Sequence, residues 1–191
     1  SIRFNVDPKR ISDWHTPGGP VLTAFLNTFS TILPVGERFF IDSVRAYRDQ
    51  ITDPELKKAV TAFIGQEGFH TREHEEYNEA LVAAGMPIEA MDAVVVRLLE
   101  LVKKAPRSVQ LAATVALEHL TAVLGDMLLR NTELMEGVDP HYSAIWRWHA
   151  IEETEHKAVC FDAFEQVVGK GIKAYGLRVG AFLLANALFW S

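Results

Sequence analysis

Glu37, the pair Glu67 and His70, Glu118, and the pair Glu153 and His156 form an ordered series of four carboxylates and two imidazoles. Within each pair the spacing is i, i+3, which puts an oxygen donor and a nitrogen donor on one face of a helix. The order Glu, Glu-x-x-His, Glu, Glu-x-x-His across four helices is the donor pattern with which a helical bundle holds two metal ions in its core. Oxygen-rich donors with one imidazole per ion suit iron first, with manganese or zinc as the other candidates. The single glutamates and the histidines then serve as terminal ligands, and the Glu-x-x-His carboxylates are free to bridge.

One Glu-x-x-His alone carries little weight, because the spacing also arises on solvated helix faces. The surroundings favour metal here. Apart from His119, Glu118 is the only charged or titratable residue between Gln110 and Gly125. A carboxylate in so apolar a stretch is expected to be buried, and a buried charge needs a partner or a metal. Glu37 likewise sits between Pro34-Val35-Gly36 and Phe39-Phe40. Its neighbour Arg38 points elsewhere, since adjacent helix positions do not face each other.

Two further histidines fall on the same helix faces. His74 lies four residues after His70, and His149 four before Glu153. If their helices are antiparallel with Glu67 and His156 level, both are displaced seven residues toward one end, about 10 Å along the axis. They are candidate catalytic groups lining a substrate pocket, or additional metal ligands. His119 points about 100° away from Glu118 and is not expected to join them. Cys160 reads as a small buried hydrophobe. Glu152, Glu155 and Lys157, with Glu73, Glu75, Glu76 and Glu79, read as solvated helix faces, and Trp146, Trp148 and Phe69 as core.

The elements that must position these residues are all helical. Residues 1–19 read as an irregular lead-in. An apolar stretch over 21–32 meets Pro34, so the first site helix either starts near Val35 or runs through with a kink. Asp53-Pro54 and Asp139-Pro140 combine an N-cap with proline at the first helical position. They open helices expected over 54–84 and 140–168, stopped near Gly85 and Gly169. A shorter helix is expected over 88–103, a fourth site helix over 106–134, and an apolar helix from about 172. Short joints between the first two and last two site helices, and a long one between the pairs, predict an all-α, ferritin-like four-helix bundle with one long crossover. The short extra helix and a C-terminal helix complete a single domain.

A chain of 191 residues, 49% hydrophobic and 23% charged, suits one globular domain. The formal charge of −6 and the absence of a basic run argue against nucleic-acid binding. One cysteine cannot form an internal disulfide, which fits a cytoplasmic setting. Val179–Trp190 carries no charge but is too short to span a bilayer, which takes roughly 20 residues. It reads as a helix packed on the bundle, or as part of a longer segment that associates with a membrane. A homodimer and a small or apolar substrate are the remaining partner expectations.

The stretches Gly36–Phe40, Phe63–His74, Ala116–Leu120 and Trp146–Lys157 resemble a bacterial family labelled predicted metal-dependent hydrolases, within the ferritin-like superfamily. The resemblance implies a di-metal four-helix bundle. Three functions compete on this reading: an oxygen-dependent di-iron oxidase or oxygenase, which helical sets of this kind favour; a metal-dependent hydrolase; and a non-enzymatic storage bundle.

Overall fold

The computed structural model describes residues 3–190, whose regular elements are all helical. Among them seven α-helices follow in order: α1 (Gly19–Arg45), α2 (Pro54–Ala83), α3 (Ile88–Val102), α4 (Arg107–Arg130), α5 (Pro140–His156), α6 (Val159–Val167) and α7 (Ile172–Phe189). The bundle core consists of α1, α2, α4 and the consecutive pair α5–α6. Contacts between paired residues give the directions. Glu67 meets His156 and His74 meets His149, so α2 and α5 are antiparallel. Thr121 meets Glu153 and Glu118 meets His156, so α4 and α5 are antiparallel as well. Helices α2 and α4 therefore run the same way. That requires the long connection between them, within which α3 lies against α1.

Local chemistry sets the helix ends. Asp53 Oδ1 accepts from Glu55 N and Leu56 N, and Asp139 Oδ1 from His141 N, each followed by proline. Gly85 at φ +82° ends α2, and Met86 N closes back on Leu81 O at 3.0 Å.

Several boundaries differ from expectation. Helix α1 is continuous from Gly19 through Pro34. The proline cannot donate to the carbonyl of Ser30, and Asn78 Nδ2 of α2 donates to it instead at 3.0 Å. Helix α4 stops at Arg130, and a 3-10 turn covers Thr132–Met135. The last site helix is two helices. Its ladder lapses at Lys157 and Ala158, directly after His156, and resumes where Asp162 N donates to Ala158 O at 2.9 Å. The dihedral angles stay right-handed through the lapse, so the chain continues without turning back. The lead-in contains a 3-10 turn at Pro8–Arg10, and it buries Ile11 and Trp14 completely. Trp14 Nε1 and Tyr77 Oη both donate to Asn27 Oδ1, fastening the lead-in to α1 and α2.

Two apolar clusters fill the bundle. One gathers Phe39, Phe40, Val44, Val60, Phe63, Leu111, Cys160 and Phe164; the other Ile11, Trp14, Leu33, Tyr77, Leu81, Tyr142, Ile145 and Trp146. On every core helix the expected donors fall between them. Helix α7 packs on α4 but buries only Ala174 and exposes Leu183, Leu184 and Leu188, with Trp190 exposed just past its end. By length and composition α4 and α7 are each apolar enough to cross a membrane; α4 is nevertheless a core helix.

Candidate metal centre

The bundle brings all six expected donors together, and each is at most 3% exposed. Donor atoms of Glu67, His70, Glu153 and His156 lie within 4.8 Å of one another. So do those of Glu37, His70 and His149. Glu118 joins through His156, whose Nδ1 is 3.3 Å from Glu118 Oε2 and whose Nε2 is 3.2 Å from Glu67 Oε1. His70 Nδ1 lies 3.4 Å from Glu153 Oε1 and 3.6 Å from Glu67 Oε1.

These contacts are close, yet most are not aligned as hydrogen bonds. Both oxygens of Glu37, Glu67 and Glu118, both nitrogens of His156, His70 Nδ1 and His149 Nε2 are buried without a hydrogen-bond partner. Buried polar atoms are ordinarily paired, and leaving a carboxylate unpaired in a protein core is costly. Unpaired oxygens and nitrogens converging on one small volume are what a cation-binding site leaves when described without its ion. The donor set fits a metal.

Protonation follows the same geometry. Burial drives Glu37 and Glu118 well above the usual carboxylate range, reinforced by Glu67 beside the first and Glu153 beside the second. Burial also raises Glu67, to about 7. Glu153 behaves oppositely: burial opposes its charge, but the adjoining imidazoles, the charged His70 among them, hold it well below the usual range. Burial works against a charge on His70 too, and Glu152, Glu153 and Glu67 together outweigh it, raising its pKa well above normal. Burial and then the neighbouring imidazoles lower His74 and His149, and burial brings His156 down to about 4. Without metal, a proton on His70 thus provides the cluster's positive charge. A metal ion has to displace it.

His74 and His149 are level with each other, as expected from the antiparallel helices, with His74 Nε2 and His149 Nδ1 3.0 Å apart. They do not both stand off from the cluster. His149 stacks on His70 at 4.2 Å, and its Nε2 is 3.2 Å from Glu153 Oε1. The reason is the one-turn spacing from His149 to Glu153, which outweighs the seven-residue offset from His156. His74 lies behind it, bonded through Nδ1 to Ser30 Oγ at 2.9 Å.

The direction of this chain of hydrogen bonds can be read from its far end. The carbonyl freed by Pro34 can only accept, so Asn78 turns its Nδ2 toward it and its Oδ1 toward Ser30 Oγ. Ser30 donates to Asn78 and accepts from His74 Nδ1–H. His74 Nε2 then accepts from His149 Nδ1–H, which leaves the His149 Nε2 lone pair facing Glu153. A second chain sets His70. Trp148 Nε1 donates to Glu152 Oε1 at 2.9 Å, and His70 Nε2 donates to Glu152 Oε2 at 3.1 Å, leaving Nδ1 toward the cluster. Such outer partners fix the tautomer and ring orientation of metal-binding histidines.

Glu152 therefore is not a solvated residue, contrary to expectation: it is 22% exposed and holds His70. Glu73 is also buried, paired with Arg72 and accepting from Phe4 N. Phe69, expected in the core, is 49% exposed beneath the Arg72 guanidinium. Ser30, Asn78 and Thr121, which donates to Glu153 Oε2, had no sequence signal as site residues. Arg38 pairs with Glu75, His119 is exposed, and Cys160 is buried in the core with its thiol pKa raised by burial.

With this geometry in place, similarity decides the family. The model of the family described as predicted metal-dependent hydrolase matches residues 1–191. The chain belongs to that family. No match was found among curated proteins or among solved structures. Membership in the hydrolase family and the buried Glu/His cluster agree on metal dependence, and the family description favours the hydrolytic alternative over the oxygen-dependent oxidase.

Proposed function

We propose that the protein is a metal-dependent hydrolase with two ions in the cluster. The supporting observation is the row of unpaired buried donors. Glu37, His70, Glu153 and His149 would hold one ion, and Glu118, His156 and Glu67 the other. The carboxylates of Glu67 and Glu153 would be open to both. His149 is a ligand on this reading and His74 orients it. His70 has a single nitrogen facing the cluster, so it serves one ion.

Bound divalent ions would supply Lewis-acid polarisation of a substrate carbonyl or phosphoryl oxygen and a lowered water pKa. The chain's own contribution is orientation and exclusion of water. Glu152 and His74 hold two imidazoles with lone pairs inward. Thr121 donates to Glu153 Oε2 and steers the other oxygen of that carboxylate toward His70 and His149. The apolar clusters on either side keep bulk water from the donors.

The test is turnover of chromogenic carboxylate and phosphate esters by zinc- or manganese-loaded protein under argon. Metal-dependent turnover abolished by a chelator is expected. Absence of turnover with zinc, manganese and ferrous iron alike overturns the hydrolytic reading. A carboxylate-dominated donor set also suits iron and oxygen chemistry. That second reading predicts oxygen consumption by the ferrous protein and an oxo-bridged diferric absorption.

A further inference from the structure

A cavity of about 70 Å³ lies between α1, α4 and α5 and reaches the donor cluster. Phe25 and Met127 line it and are 42% and 49% exposed, which places its mouth at the surface. Thr121, His149 and Glu153 line it as well, and these three belong to the buried centre. Between the two ends the walls are Phe29, Leu124, Leu128 and Trp146. Gly125 and Ala150 complete one wall where α4 and α5 touch; a Cβ on Gly125 would lie 3.0 Å from Ala150 O. The polar groups thus gather at the inner end, and the residues between are apolar or aromatic, among them Trp146 with its buried, unpaired Nε1.

We propose that this cavity is the substrate channel and that it takes a linear alkyl or acyl chain, reacting end first. A small apolar cavity with polar groups at one end fixes a ligand's direction as well as its class. A volume of about 70 Å³ holds roughly three or four carbons, so the rest of a longer chain would lie outside, past Phe25 and Met127. The assignment of the reacting end rests on the metal-centre reading, but occupancy of the channel does not require turnover.

Calorimetric binding of straight-chain alkanols from one to eight carbons, with branched isomers as controls, separates the two. The protein is used zinc-loaded and metal-free. Affinity is expected to rise about fourfold per methylene up to roughly four carbons and then level off, with branched isomers bound about tenfold more weakly. Leu128→Trp, which narrows the channel, should end the rise at shorter chains with metal content unchanged. Leu128→Ala, which widens it, should admit the branched isomers, and it decides the matter if the tryptophan variant does not fold. The same chains presented as short-chain phosphatidylcholine distinguish a lipid source from a free chain. Affinity independent of chain length, or a chain-length profile unmoved by both Leu128 variants, overturns the proposal. Hydrolysis of short esters without any chain-length dependence would leave the hydrolase reading standing and remove the channel.

Discussion

At one end of the cluster, toward α6, Glu67, Glu118 and His156 are positioned by packing. Phe63 lies edge-on to His156 at 5.0 Å, and neither imidazole nitrogen has a hydrogen bond to orient it. At the other end His70 and His149 are each tied through their outward nitrogen, one to Glu152 and Trp148, the other to His74, Ser30 and Asn78. The lined cavity reaches only this second end. The contrast separates two ways of holding a ligand: a close-packed wall that limits where a ring can go, and a directed chain of hydrogen bonds that also sets which nitrogen carries the lone pair. Preorganised donors bind with less ordering cost. The tied end should therefore fill first and do the chemistry, and the packed end should fill second.

The largest effect is expected at Glu153, which touches His70, His149 and Thr121. Glu153→Ala should reduce metal from about two ions per chain to fewer than one, measured by elemental analysis after gel filtration. Two ions retained would break the shared-carboxylate arrangement. Next, a calorimetric titration of the intact protein should show a tight and a weak phase. His149→Ala should remove the tight phase and His156→Ala the weak one; the reverse pairing would invert the comparison. His74→Ala should keep both phases but weaken the tight one by roughly 10–100-fold, the usual cost of losing an orienting partner.

Metal uptake should be strongly pH-dependent. His70, Glu67, Glu37 and Glu118 all have raised pKa values without metal, so they hold protons that an ion must displace. Affinity should rise from pH 6 to pH 8, with proton release visible as a dependence of binding heat on the buffer. A pH-independent affinity would contradict the protonation scheme. The same raised values give a smaller effect on folding. A carboxyl whose folded pKa is raised contributes stability that is complete below its unfolded value of 4.5 and is lost as pH rises through the folded value. Glu118→Gln should therefore stabilise the metal-free protein at pH 8 by several degrees, at about 2–4 °C per kcal/mol, and much less at pH 4, while impairing metal binding. The smallest change is Pro34→Ala. The restored N–H competes with Asn78 for the Ser30 carbonyl, and tight-phase affinity should fall only a few-fold, on the order of one hydrogen bond's net worth.

The packed end was the more legible of the two in the sequence. Glu118 stood out because a lone carboxylate in an apolar run has few uses, and the two Glu-x-x-His spacings identified four donors by helical geometry. Helix starts at Asp53-Pro54 and Asp139-Pro140, and the crossover, followed from capping and connection length. The tied end was half legible. His74 and His149 were visible as a matched pair, but the one-turn proximity of His149 to Glu153 places it at the metals and not beyond them. Glu152 resembled its solvated neighbour Glu155, because nothing local to α5 reveals that His70 of another helix points at it. Ser30 and Asn78 are unremarkable polar residues until Pro34 frees a carbonyl between them, and that relation exists only once α1 and α2 are packed. The lapse after His156 left no mark in composition either, since Lys157 and Ala158 are ordinary helix formers.

Metal stoichiometry tests the centre most directly. Protein purified without a metal-affinity tag, and its His149→Ala variant, should be titrated with zinc and analysed after removal of free metal. The account predicts two ions per chain for the intact protein, with loss of the tighter one in the variant. Fewer than two ions in the intact protein, or two retained with unchanged affinity in the variant, would contradict it.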